Sequence, residues 1–77
     1  MAATYLAKCR QQDGATVYRA VRMIGAGGAD DVQAMLEKHG LAAQEITQAP
    51  AGMALDTLTA GVPGPCLVMY MQGRTGR

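Results

Sequence analysis

YLAKCRQQDGATVYRAVRMI, residues 5–24, decides how this chain folds. Residues 5–12 and 16–24 are rich in strand-compatible side chains, and Asp13-Gly14 stands between them. Asp-Gly flanked by two such runs signals a tight hairpin, because a two-residue turn needs positive φ at both central positions. With a two-residue turn, Arg10 opposes Val17, Cys9 opposes Tyr18 and Lys8 opposes Arg19. One face of the ribbon then carries Tyr5, Ala7, Cys9, Tyr18 and Ala20, apolar enough to pack beneath a helix. The other carries Lys8, Arg10 and Arg19, with Leu6, Val17 and Val21 between them.

Like charges directly opposite one another destabilise a sheet, so folding alone does not favour a Lys8/Arg19 pair. Lys8, Arg10 and Arg19, joined by Arg22, are therefore the candidate binding surface for a protein partner or a nucleoprotein complex. The plainer alternative is a solvated face whose long side chains splay apart and cover the valines. Nucleic acid is the second choice of partner. Net charge is only +1, and no aromatic platform offers itself to unpaired bases.

Downstream, Val32, Met35, Leu36 and His39 fall at i, i+3, i+4 and i+7, a helical stripe. Asp30 is the expected N-cap, with Gln33 three residues on. Gly40 stands where a left-handed residue ends a helix, and Leu41 is placed to fold back on Leu36. Residues 43–48 read as a strand. Residues 53–59 fit either a strand or a helix stopped by Gly61, and strand is the expectation. Val62-Pro63-Gly64-Pro65 is a loop, because its prolines remove donors and fix φ. Residues 66–71 form a last strand. The expected architecture is α+β: a small, mainly antiparallel sheet, in ββαββ or ββαβαβ order, with one principal helix on one face. Residues 1–72 form a single domain, and 73–77 a flexible basic tail.

The glycines of GAGGAD, residues 25–30, suggest a phosphate cradle at first sight. A dinucleotide fingerprint needs Gly or Ala at the sixth position, where this chain has Asp30. Asp30 and Asp31 put two carboxylates where a phosphate would sit, and the preceding strand carries Arg19 and Arg22 rather than an apolar run. The glycines are expected to serve as turn-makers, and no cofactor is expected.

The chain has 77 residues, no Phe, Trp, Ser or Asn, and six methionines. So short a chain buries only about 60–65% of the surface it exposes when unfolded, and its core of Leu, Val, Ile, Met and Ala should be soft. Self-association is the expected remedy. Residues 66–71 are apolar on both faces, and a single helix covers only one. Leu67, Met69 and Met71 are thus the expected interface of a homodimer. The start of the chain has no apolar signal region, and no run reaches the ~18 apolar residues of a membrane span. A cytoplasmic protein with no membrane association is expected.

Cys9 and Cys66 read first as small buried hydrophobes, and second as a possible disulfide within or between chains. A small thiol-dependent enzyme is the third functional option, but a nucleophilic cysteine needs a base, and His39 is the only histidine. That lone histidine also leaves no metal-ligand spacing, so no metal site is expected.

MLEKHGLAAQEI, residues 35–46, resembles the amino-terminal helix–Gly–strand pattern of type II secretion inner-membrane platform proteins. The likeness covers under half the chain without their membrane-spanning part, and implies nothing about function here. In size and class the chain resembles the small inhibitors carried by phages and mobile elements, anti-CRISPR proteins among them. The expectation is a small non-enzymatic interaction protein, of the stoichiometric-inhibitor kind.

Overall fold

A computed structural model describes residues 2–73. Its elements are β1 (Ala2–Arg10), β2 (Thr16–Ile24), α1 (Ala29–Lys38), β3 (Ala42–Gln48), α2 (Leu55–Ala60) and β4 (Cys66–Gln72). The fold is α+β, in ββαβαβ order, the second of the two orders expected. The expected strand over 53–59 is instead the short helix α2, closed by Gly61. Leu55, Leu58 and Thr59 are its half-buried positions, which is helical rather than alternating spacing. The tail expected over 73–77 lies, apart from Gly73, outside the described residues.

The four strands lie in the order β3-β1-β2-β4. β1 runs antiparallel to β2 and to β3, while β4 is parallel to β2. β2, β3 and β4 therefore all point the same way, and β1 alone opposes them.

The hairpin turn has three residues, not two. The Gln11 N–H donates to the Ala15 carbonyl at 2.8 Å, and the Gly14 N–H to the Gln11 carbonyl at 2.9 Å. Only Gly14 takes positive φ, at +91°, and no residue other than glycine does so among those described. A loop of Gln12, Asp13 and Gly14 needs one left-handed residue where a two-residue turn needs two, and Asp13 is spared that strain. The Asp13 carboxylate instead accepts from the Ala15 N–H at 2.9 Å.

That one extra residue moves the register by one. Lys8 opposes Tyr18, Ala7 opposes Arg19, and Tyr5 opposes Val21. A one-residue slip sends every side chain of β2 to the other face. Tyr18 and Ala20 thus leave the helix-covered face, and Val17, Arg19, Val21 and Met23 take their places. Lys8 also has Glu45 of β3 as its other neighbour, so its cross-strand charge is opposite rather than like.

α1 covers the face made by Tyr5, Ala7, Cys9, Val21 and Met23, adding Val32 and Leu36 from the helix and Leu41 beyond it. His39 closes the helix as its C-cap and is exposed, so the buried stripe ends at Leu36. The C-terminal signals hold: Gly40 has φ +79°, and the Leu41 N–H donates to the Leu36 carbonyl at 3.0 Å. At the other end the N-cap is Gly28 rather than Asp30, and the Asp31 carboxylate accepts from the Gly28 N–H at 2.9 Å. A carboxylate thus already occupies the helix N-terminus.

Leu55 and Leu58 of α2 stand outside the α1-side cluster, and α2 packs on β2. On that second face Ala20 is fully buried beside half-buried Leu6.

Candidate functional site

Alternation along the strands sorts the four cations proposed as a binding surface. Lys8, Arg10 and Arg22 lie on the α2 face, with Tyr18 opposite Lys8 and Thr4 opposite Arg22. Arg19 lies on the α1 face, half-buried, where one guanidinium nitrogen donates to its own neighbour's carbonyl, that of Tyr18, at 2.9 Å. The expected grouping of Lys8, Arg10 and Arg19 does not form, because the three-residue turn separates them. Arg19 lines instead a cavity of about 420 Å³ together with His39, Gly40 and Leu67.

Arg22 holds the most distinctive position. It is half-buried and lines a cavity of about 760 Å³ with Thr4, Gly25, Gly27, Gln48 and Gly52. The cavity lies beyond the carboxyl ends of β2 and β3, at the start of β1, which runs between them. Gly25 and Gly52 supply the two sharp bends of its rim, with φ of +100° and +83°. Gly27 permits close approach, since a Cβ there would run into the Met23 Sδ. The glycines are turn-makers as expected, and the turns they make border a hollow. Among the described residues Arg22 is the one charged residue lining it, and its guanidinium forms no hydrogen bond or ion pair to any of them. A guanidinium with five donors and no partner among the described residues, at the wall of a cavity, favours an incoming carboxylate.

Lys8 and Arg10 stand two residues apart near the hairpin turn, both exposed. Arg22 is two side-chain rows further along the same face, beyond Leu6 and Ala20, or about 13 Å at the rise of a strand. The sequence signal for this division was present. Aligning Ala3, Tyr5, Ala7 and Cys9 with Met23, Val21, Arg19 and Val17 places one arginine on that face, as does aligning them with Ile24, Arg22, Ala20 and Tyr18. The first register, however, supplies Val17, Val21 and Met23 where the other supplies Tyr18, Ala20 and Ile24.

The residues expected at a dimer interface divide as well. Parallel pairing sets Leu67, Met69 and Met71 beside Arg19, Val21 and Met23, on the α1 face. Met69 and Met71 pack against the α1-side core, so their own chain covers them. Leu67 alone remains open, at 61% exposure.

Cys9 and Cys66 are both free thiols, on opposite faces of the sheet, with β2 between their strands. No disulfide joins them within the chain, and Cys9, at 0% exposure, is closed to a second chain. Burial pushes both thiols above their ordinary pKa; Arg19 opposes that at each, and the Ala20 backbone N–H also does so at Cys66. Raised thiols hold little thiolate at neutral pH. His39, exposed at the end of α1, is on the other face from Cys66. Among the described residues no three His, Cys, Asp or Glu side chains gather where they could hold a metal ion. No helix among those residues is long and apolar enough to cross a membrane. Set against family models, curated proteins and solved structures, the chain matches none of them.

Proposed function

We propose that this is a non-enzymatic interaction protein whose α2 face engages an acidic protein partner, of the kind met in stoichiometric inhibitors. The partner places an Asp or Glu side chain in the cavity against Arg22. The observation that carries this is Arg22 itself, a half-buried residue lining a cavity of about 760 Å³, whose guanidinium has no partner among the described residues. Arginine in a partly desolvated pocket is a common anchor of protein interfaces. Lys8 and Arg10, exposed on the same face, speed encounter and contribute less once the complex has formed. Burial holds both thiols above their ordinary pKa, which does not favour a thiol-dependent enzyme.

The test is an affinity capture from host extract, run with and without nuclease, followed by titration of the purified complex. A stoichiometric protein complex that survives nuclease, and whose affinity falls at least about tenfold in Arg22→Gln, supports the reading. Lys8→Glu with Arg10→Glu should slow association and flatten its salt dependence. A complex indifferent to Arg22→Gln refutes it, and one destroyed by nuclease transfers the function to nucleic acid binding.

A further inference from the structure

We propose that β4 is the seam of a homodimer, pairing edge to edge with β4 of a second copy to join two four-stranded sheets into one. β4 is an outer strand, with β2 on one side and no strand of the described residues on the other. The Gly73 N–H donates inward to the Ile24 carbonyl at 2.7 Å. Since backbone groups alternate sides along a strand, residues 67, 69 and 71 also bond inward, and Cys66, Val68, Tyr70 and Gln72 present their N–H and C=O groups outward. An open row of such groups is a template for another strand.

The occupant that fits is β4 itself. Turned antiparallel about Met69, the strand sets Val68 opposite Tyr70 of the second copy, and Cys66 opposite its Gln72. All four outward-facing residues then fall at hydrogen-bonded positions, each pair exchanging both N–H···O bonds. Met69 meets its counterpart at a close, non-hydrogen-bonded position on the α1 face. Residues 66–72 carry no charge, so a two-fold axis brings no like charges together. Val with Tyr is a favourable cross-strand pair. Leu67, Val68 and Tyr70, at 61%, 40% and 64% exposure, are three of the five large apolar side chains left open among the described residues, and all three lie on this strand. The interface is isologous and closed, because each strand has only one free edge to give.

The experiment uses the full chain in sedimentation equilibrium from roughly 1 to 300 μM, with circular dichroism to show that each variant is folded. The unaltered chain should reach twice its 8.0 kDa mass as concentration rises. Val68→Lys with Tyr70→Lys puts lysine opposite lysine at both central pairs and should weaken association at least about tenfold. Val68→Lys with Tyr70→Glu puts lysine opposite glutamate across the seam and should restore the dimer. A monomer throughout for the unaltered chain overturns the proposal, as does a dimer indifferent to the double lysine. A Lys/Glu variant as monomeric as the double lysine overturns the register. Lys8→Glu with Arg10→Glu should leave the dimer intact, which separates this test from that of the acidic partner.

Discussion

The two edges of this sheet are built on opposite plans. β3 has a break in register between Lys8 and Cys9, where Gln44 is passed over, and it carries Gln44, Glu45, Thr47 and Gln48. A bulge and a charge are two of the usual ways by which proteins blunt an exposed strand. β4 has neither. It is regular from Cys66 to Gln72, uncharged and apolar on both faces. The strand that needs no further neighbour is guarded, and the unguarded one is suited to a neighbour of its own sequence.

The two edges rest on one shared support. Ala43 and Ile46 of β3 and Met69 and Met71 of β4 all pack against the cluster that contains Leu36. Leu36→Ala should lower unfolding stability by about 2–5 kcal/mol. That is a large share of the roughly 4–12 kcal/mol expected for a chain of this size. Amide exchange should quicken in β3 and β4 together, and an effect confined to one strand would show that the core is not common to both.

A sharper intervention strips β3 of its guards. Deleting Gln44 and replacing Glu45 with valine should turn the protected edge into a second adhesive one. With both edges open, light scattering should detect species larger than a dimer. An unchanged size distribution would show that the bulge and the charge are not what keeps β3 unpaired.

The smallest expected effect concerns the one opposite-charge pair in the β1–β3 register. Lys8→Glu faces Glu45 with a like charge and should cost about 0.2–1 kcal/mol in urea denaturation. Glu45→Lys in the same chain should recover it. Failure to recover would place the contribution of Lys8 in its methylenes rather than its charge.

Much of the architecture was legible from residue order alone, and the exceptions have local causes. Thr16 to Ile24 and the Gly40–Leu41 helix stop are as the residues indicated, because turn glycines and apolar spacing act over a few positions. Asp13-Gly14 announces a hairpin, but the same dipeptide closes loops of two or three residues, and only the apolar match of the paired strands separates them. The basic surface depends on that single residue, which places Arg19 on the opposite face from Lys8 and Arg10. Helix α2 was hidden because six residues carry too little periodicity to outweigh a strand reading. Arg22 stands out in the sequence as a cation, but its cavity is assembled from loops distant in sequence, which no local pattern records.

The parallel pairing of β4 with β2 has a consequence for synthesis. Tyr18 and Cys66 are roughly fifty residues apart in the chain. At about 5–20 residues per second of translation, β2 waits several seconds for the partner that will cover its flank. During that interval β2 is itself a bare margin, and neighbouring nascent chains on one message carry the same margin at the same time. The interval before residue 72 emerges is therefore when this protein is most exposed to mispairing with its own kind.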